Sequence, residues 1–157
     1  MHPTRIDIPK PTREDLVNVL NQYLADYIDT VSQLKQAHWN VKGPRFMTLH
    51  LLFDGAYEAL EGQVDDVAER IATLGGTAAG TVRQAASASQ LPEYPAATTG
   101  EEHLAAVADV LATFCGLTRE AIRTAAKLGE PTTEDLLTEI SRAADLQLFF
   151  VESHLGA

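Results

Sequence analysis

The sequence predicts an all-α fold, a four-helix bundle in which two helical hairpins are joined by one long connection. Apolar residues recur every three or four positions through four long segments, which is the spacing of one buried helix face. No segment shows the two-residue alternation of a strand, and 157 residues suffice for one domain with a hydrophobic core. We therefore expect a single domain over residues 1–157, with residues 1–12 as a flexible N-terminal arm.

Start and stop signals divide the first hairpin into two helices. The first helix is expected to open at Thr12 with a capping box and to end at the Gly-Pro pair at 43–44. The second helix is expected to begin near Arg45 and to end at the Gly-Gly pair at 75–76. Both segments keep their apolar period between these signals, so two long antiparallel helices are predicted.

The segment between the hairpins is rich in small residues, contains proline and has little apolar period. It is predicted to be a crossover with a short helix over 82–89. The third helix begins at the capping box Thr99-Gly-Glu-Glu102, and the last begins after the sequence GEPTTED, which ends at Asp135. Two hairpins joined by such a crossover describe a ferritin-like four-helix bundle.

Charge and cysteine content limit the classes of function. The net charge of −10, with no block of basic residues, argues against a generic nucleic-acid binder, because duplex affinity depends on neutralising phosphates. An acidic chain is better suited to attracting cations. No apolar run reaches the roughly 18 residues of a membrane span. The N-terminus lacks an export signal and the one cysteine, Cys115, is expected to be a buried thiol, so a cytoplasmic location is predicted.

The second helix carries a histidine and several carboxylates away from its apolar face. On an ideal helix these residues lie within about 100° of one another, whereas the apolar residues centre near 270°. Any one carboxylate in such a position is consistent with a solvated surface, but histidine and carboxylates together suit Fe(II) and similar divalent metals. The set forms two pairs, a first pair of His50 with Asp54 and a second pair of Asp65 with Glu69.

The two pairs lie about 22 Å apart along the helix axis, at about 1.5 Å per residue. Bonds to first-row metals are only about 2 Å long, so one helix cannot hold one metal with both pairs. Either there are two separate half-sites, or a second chain brings one pair to the other. An antiparallel two-fold contact centred near Ala59 would do this twice per dimer. The small residues Gly55 and Gly62 would allow the close approach.

The stretch KQAHWNVKGPRFMTLHLLFD, followed by DDVAERIATLGG, resembles the signature of the Dps family, the mini-ferritins named as DNA-binding proteins from starved cells. The resemblance covers essentially the whole chain, including the crossover and the ending EISRAADLQLFFVESHL. It implies a hollow homododecamer that oxidises Fe(II) with hydrogen peroxide, or with dioxygen, and stores the ferric mineral. It also implies a di-iron site between subunits, in which zinc or other divalent metals can substitute.

The resemblance further implies which residues form the ferroxidase site, and each position holds the expected residue type. Trp39 would lie beside the site, where interfacial packing and a redox role both remain open. Di-iron bundles that hold their metals inside one four-helix core use a Glu-x-x-His motif. The chain has no such motif, which disfavours a site of that kind. The implied ligands are His38, His50 and Asp54 of one chain, with Asp65 and Glu69 of its two-fold mate.

A second acidic group, Glu130, Asp135 and Glu139, lies around the start of the last helix. Acidic residues at a helix start often serve only as partners of the helix dipole. The resemblance offers another role, since matching positions line three-fold pores for Fe(II) entry, where three copies would make a negative funnel. The remaining histidines show no partner spacing, and no role is assigned to His2, His103 or His154.

These features fit three classes of function unequally. The favoured class is an iron-oxidising and iron-storing enzyme that protects the cell and its DNA from oxidative damage. The alternative is a nucleoid-associated DNA-binding protein with secondary iron chemistry, but the basic tail that such proteins use is missing. Twelve copies with a net charge of −10 would carry about −120 formal charges, so weak duplex binding is expected at physiological salt. The third class is a helical cage with an inactive site. Such a protein would show a replaced ligand, and none of the implied ligand positions is replaced.

Overall fold

The computed structural model describes residues 1–156, and five α-helices and no strand are found in that range. Ala157, the last residue of the predicted domain, lies outside the described residues. The all-α, ferritin-like bundle with a short crossover helix is confirmed. None of the helices within 1–156 is long and apolar enough to cross a membrane. In chain order the helices are α1 (Lys10–Asn40), α2 (Phe46–Thr73), α3 (Val82–Ala88), α4 (Gly100–Lys127) and α5 (Pro131–Glu152).

Aromatic side chains of α1 and α4 form the centre of the core. The Phe114 ring lies 5.5 Å from that of Tyr23 and 4.7 Å from that of Tyr27, between ring centroids. Both phenols are satisfied: Tyr27 donates to the Leu60 carbonyl at 2.8 Å, and Tyr23 shares a 2.9 Å hydrogen bond with the Thr118 hydroxyl. Buried rings with satisfied polar ends therefore fix α1 against both α2 and α4.

The start of α1 differs from the prediction. The helix begins at Lys10, and no side chain among the described residues caps its first turn, so the capping box expected at Thr12 is wrong. Pro11 lies in the first turn, where its fixed φ is already helical and its missing N–H is not needed. The segment before the helix is therefore 1–9, shorter than the expected arm of 1–12.

The segment 1–9 lies against the C-terminal end of α2. The His2 amide donates to the Gly75 carbonyl at 2.6 Å, and the buried Arg13 donates to the carbonyls of Leu74 at 2.9 Å and Ile8 at 3.0 Å. A guanidinium at this position satisfies helix-end carbonyls and interacts favourably with the helix dipole. Gly75 has a φ of +88°, and a Cβ there would lie 2.7 Å from the His2 carbonyl oxygen, so glycine is required.

The start of α4 agrees with the prediction. The Glu102 amide donates to the Thr99 hydroxyl at 3.2 Å, and the Glu102 carboxylate accepts from the Thr99 amide at 3.0 Å, which is the predicted capping box. Hydrogen bonds from the backbone amides of Thr98 and Thr99 lower the pKa of Glu102 to about 2. The carboxylate is therefore ionised and part of the helix cap.

The last helix, α5, begins at Pro131, earlier than the start expected after Asp135. Glu130 is its N-cap and accepts hydrogen bonds from the amides of Thr132 at 3.1 Å and Thr133 at 2.8 Å. Pro131 takes the first helical position, which suits its fixed φ. The sequence GEPTTED therefore contains the start of the helix instead of preceding it.

A buried ion pair joins the end of α2 to the start of α5. Arg70 donates to the Glu130 carboxylate at 2.7 Å and to the Thr133 hydroxyl at 3.0 Å. The side chains of Arg70 and Glu130 are only 13% and 6% exposed. Burial raises the pKa of Glu130, but hydrogen bonds from Thr133 and Arg70 outweigh it, and the pKa falls to about 2. Glu130 thus stabilises the packing of two helices.

We expect Glu130→Gln to destabilise the fold by about 2–4 kcal/mol at neutral pH, because it leaves a buried guanidinium without its counter-charge. Since the folded pKa lies below the usual 4.5, the carboxylate's contribution is present above pH 4.5 and is lost as the pH falls towards about 2. Thermal denaturation at fixed protein concentration, repeated from neutral to acidic pH, measures both effects.

The matched control is Asp145→Asn, which breaks the more exposed ion pair between Arg119 and Asp145, with side chains 49% and 43% exposed. Its effect should stay below about 1 kcal/mol. Equal effects of the two variants, or a Glu130→Gln effect that does not shrink in acid, would contradict the assignment of a stabilising buried pair.

Candidate metal centre

The turn between α1 and α2 brings the ends of these helices together. Val41 caps α1 by donating to the Ala37 carbonyl at 2.9 Å, and its side chain is fully buried. Gly43 has a φ of +108°, a conformation that side chains rarely allow, and the chain then enters α2 at Phe46. The reversal takes only five residues, 41–45, so the last turn of α1 faces the first turns of α2.

His38 on α1 and His50 on α2 pair reciprocally across this turn. Their imidazole rings stack with centroids 3.8 Å apart and an angle of 23° between planes. Nδ1 of His38 lies 2.9 Å from the His50 carbonyl oxygen, and Nδ1 of His50 lies 2.9 Å from the His38 carbonyl oxygen. Each ring is therefore held by the backbone of the other residue.

These contacts determine the tautomer of both rings. A carbonyl oxygen can only accept, so each Nδ1 carries a proton, and the neutral form of each ring has its lone pair on Nε2. Metal-binding histidines commonly donate their other N–H to a carbonyl, which fixes the orientation of the ring. The pair formed by His38 and His50 thus presents two oriented nitrogen atoms that can accept a metal ion.

Asp54 lies one turn beyond His50 and completes the group on this chain. Its Oδ1 is 3.7 Å from Nδ1 of His38, and the same oxygen forms an ion pair with the Lys35 ammonium. The hydrogen bond from Lys35 lowers the pKa of the Asp54 carboxyl, and the charges of nearby groups, including His38, act in the same direction. Asp54 therefore presents an anionic carboxylate beside the two imidazoles.

Two neighbours of this site were not identified from the sequence. The Lys35 ammonium lies 4.2 Å from the centroid of the Tyr57 ring, which also donates a 3.3 Å hydrogen bond from its hydroxyl to Glu61. Lys35 precedes His38 by three residues and Tyr57 follows Asp54 by three, so each shares a helix face with a ligand. That spacing was the available signal. The aromatic ring and Asp54 together hold the ammonium in place.

The second pair, Asp65 and Glu69, lies further along α2 and is exposed. The structure does not bring this pair to His50 within one chain. Among residues 1–156, no three or more His, Cys, Asp or Glu side chains are arranged to hold a metal ion. Between the two pairs, α2 carries the small residues Gly55 and Gly62, and the space beside them is open. A Cβ added at either glycine would meet no atom within 4 Å.

Large apolar side chains are exposed around the histidine pair. Trp39, next to His38, is 66% exposed, and the Phe46 ring lies 5.0 Å from that of His50. Met47 and Leu51, which precede and follow His50 on α2, are exposed as well. Exposed apolar side chains of this size are common at interaction sites.

The acidic residues near the start of α5 separate into two groups. Asp135 and Glu139 are exposed and lie one turn apart on one face of the helix. Glu130, predicted with them, is instead buried in the N-cap. Cys115 is buried as predicted, and burial raises the pKa of its thiol to about 12.

Comparison with known proteins agrees with this architecture. Residues 17–157 match the ferritin-like domain family. The chain is 37% identical over 155 residues to the DNA protection during starvation protein of Agrobacterium fabrum, covering 98% of this chain and 96% of that protein. It is 36% identical over 144 residues to the protein of the same name from Mycolicibacterium smegmatis, covering 90% and 77%.

Solved structures are similar along the whole chain. Dps of Mycobacterium smegmatis superimposes with a TM-score of 0.94 at 31% identity, covering 100% of this chain and 95% of that one. DpsA14 of Streptomyces coelicolor gives a TM-score of 0.93 at 34% identity, covering 98% and 92%. The sequence signature, the helical bundle and these relatives agree: the chain belongs to the Dps family of ferritin-like proteins.

Proposed function

We propose that this protein is a ferroxidase that oxidises Fe(II) between subunits and stores the ferric product inside a hollow homododecamer. The observation that carries the proposal is the reciprocal pairing of His38 and His50, because it orients both rings through Nδ1, with the ionised Asp54 next to His38. Imidazole nitrogen and carboxylate oxygen together suit Fe(II), which accepts both kinds of ligand.

The missing ligands are proposed to come from a second copy of the chain. Asp65 and Glu69 lie about 22 Å along α2 from the first pair, too far to reach a metal held there. An antiparallel contact of two α2 helices, centred near Ala59, would put each second pair opposite the other chain's first pair. The open surface at Gly55 and Gly62 and the exposed Trp39 support this contact.

The proposed reaction uses Fe(II) as substrate, with hydrogen peroxide or dioxygen as the oxidant. In the peroxide reaction, two Fe(II) ions each give one electron, and one peroxide molecule takes both electrons and two protons to form two water molecules. Delivering both electrons at one site avoids the hydroxyl radical that one-electron reduction releases. His38, His50 and Asp54 would orient the substrate ions, while Asp65 and Glu69 of the mate would balance their charge.

Iron entry is proposed to use Asp135 and Glu139. Both are exposed and one turn apart, so three chains meeting at this end of α5 would form a strongly negative passage. Glu130 is not included in this passage, because its carboxylate forms an ion pair with Arg70 and accepts hydrogen bonds from the first amides of α5.

Direct DNA binding is a weaker candidate. Relatives are named for protecting DNA during starvation, and removal of Fe(II) and peroxide protects DNA without contact. Of the basic residues near the N-terminus, Arg13 is buried and donates to backbone carbonyls, and Lys10 forms an exposed ion pair with Glu14 at 3.5 Å. We therefore propose that protection proceeds through iron chemistry in the cytoplasm.

Replacing His50 and Asp54 together by alanine should leave a folded shell and slow Fe(II) oxidation by about two orders of magnitude or more. Loss of residues that merely support metal ligands already reduces affinity or activity by about 10–100-fold. Anaerobic Fe(II) loading followed by peroxide or dioxygen, with absorbance of the ferric product, measures the rate. The control removes the same residue types elsewhere, His2→Ala with Asp109→Ala. A double variant that oxidises Fe(II) at the parent rate would refute the ferroxidase assignment.

Assembly and activity should be lost together in Ala59→Arg. Two guanidinium groups would face each other at the proposed two-fold centre, and burying unpaired like charges costs several kcal/mol. Sedimentation should show smaller species, and the same sample should lack rapid Fe(II) oxidation, whereas Ala59→Ser keeps both properties. The inter-subunit site is excluded by a verified monomer with intact helical content and full activity.

The protein should not retard duplex DNA in a gel at about 150 mM salt and neutral pH, because a net charge of −10 per chain opposes phosphate binding. Metals are chelated in this measurement so that cation bridges do not contribute. A retarded band under these conditions would favour the nucleoid-associated alternative.

A further inference from the structure

The crossover between α3 and α4 contains a segment, residues 93–97, with a single hydrogen bond to the rest of the protein. Within the described chain no backbone hydrogen bond involves this segment, and Tyr94 makes its one side-chain hydrogen bond. The Tyr94 hydroxyl lies 2.8 Å from Nδ1 of His103 in the first turn of α4, and the two rings stack with centroids 6.0 Å apart. The attachment of the segment therefore depends on the state of one histidine.

His103 is a buried histidine without a charged partner. It is 2% exposed, and it forms no ion pair among residues 1–156. Its Nε2 makes no hydrogen bond of normal geometry in the part of the chain that the structure describes. Burial lowers the pKa of His103, whereas the charge of Glu102 and the Asn40 carbonyl act in the opposite direction. The imidazole is therefore uncharged at neutral pH.

The groups around His103 do not supply a counter-charge in contact with its ring. On α4 the ring lies in the first turn, where the helix dipole disfavours a cation, and the Glu102 carboxylate accepts hydrogen bonds from the amides of the helix cap. From α1 the backbone carbonyl of Asn40 acts on the ring, and the crossover contributes the neutral hydroxyl of Tyr94. A proton on the buried ring would thus place a charge in poorly solvated surroundings, which is costly.

We propose that the contact between Tyr94 and His103 is an acid-sensitive latch that holds segment 93–97 of the crossover against α4. With a neutral imidazole the hydrogen bond closes the segment. As the pH falls, the proton binds more readily in an open state, where water solvates the charged ring, and the segment detaches. The latch uses none of the candidate metal ligands, so it does not depend on the ferroxidase proposal.

The direction and size of the effect follow from proton linkage. Since burial lowers the pKa of His103 below its usual 6.5, the closed state is fully favoured above about pH 6.5 and loses stability as the pH falls below it. At pH 5.0 a freely solvated imidazole with a pKa of about 6.5 would favour the open state by up to about 30-fold. Ordinary carboxyl groups, with pKa values near 4, stay largely ionised at that pH.

The test is limited proteolysis of the assembled, iron-free protein by a glutamyl endopeptidase that cleaves at about pH 7.5 and about pH 5.0. The bond between Glu93 and Tyr94 lies in the segment, and its cleavage requires opening. Mass spectrometry gives the rate, which is divided by that of a free peptide with the sequence of residues 88–99 at the same pH. We expect the corrected rate to rise about tenfold or more in acid. A corrected rate that does not rise would overturn the proposal.

Two variants remove the proton-binding group in different ways, and circular dichroism and sedimentation verify that each is folded and assembled. His103→Phe keeps a flat, buried ring that cannot be protonated. His103→Asn keeps a hydrogen-bond acceptor close to the position of Nδ1. In both variants the corrected rate should be nearly independent of pH. A parent-like acid response in either folded variant would show that other groups cause the opening and would refute the latch.

Two further variants test the partner and the specificity of the response. Tyr94→Phe removes the hydroxyl and should raise the corrected rate at pH 7.5 by about threefold to tenfold, the usual effect of one hydrogen bond. An unchanged rate would mean that the hydroxyl does not hold the segment. The matched control His2→Asn removes an exposed histidine and should keep the full acid response. Loss of the response in this control would contradict the assignment to His103.

Discussion

The two hydrogen bonds between His38 and His50 connect the packing of the first hairpin to the chemistry of its surface. Each ring donates to the backbone carbonyl of the other residue, so the last turn of α1 and the first turns of α2 are held at a fixed separation. Since a carbonyl cannot donate, the same bonds place a proton on both Nδ1 atoms, so the neutral rings carry their lone pairs on Nε2. A substitution of either histidine therefore removes a contact across the turn as well as a nitrogen of the candidate metal centre, while the buried core that packs the two helices together is unchanged.

The carboxylates of this acidic chain take different roles according to their surroundings. Glu130 is satisfied inside the fold by Arg70 and by backbone amides of α5, and Glu102 closes the capping box of α4. Asp54 is kept ionised beside the histidine pair. Asp65 is exposed on α2. The negative charge of the sequence thus divides between groups that stabilise helices and groups that remain to attract cations.

The existence of the four long helices followed from their apolar period, but the starts of α1 and α5 did not. In both helices a proline, Pro11 or Pro131, lies in the first turn. Proline disrupts a helix interior and fits a helix start, so the local sequence does not say on which side of it the helix begins. The start of α4 at Thr99 was predictable because the side chains of a capping box satisfy the backbone amides directly.

By itself, the sequence determined the helical bundle, the face of α2 that carries the candidate ligands, and the separation that prevents its two ligand pairs from sharing a metal. These properties follow from the rise and period of one helix. Only the tertiary structure decided the contacts between helices. These are the hydrogen bonds that orient the rings of the histidine pair, the ion pair between Lys35 and Asp54, and the ion pair between Arg70 and Glu130. Hydrogen bonds depend on tenths of an ångström between side chains of different helices, and helix packing angles vary too much for a local pattern to specify such distances.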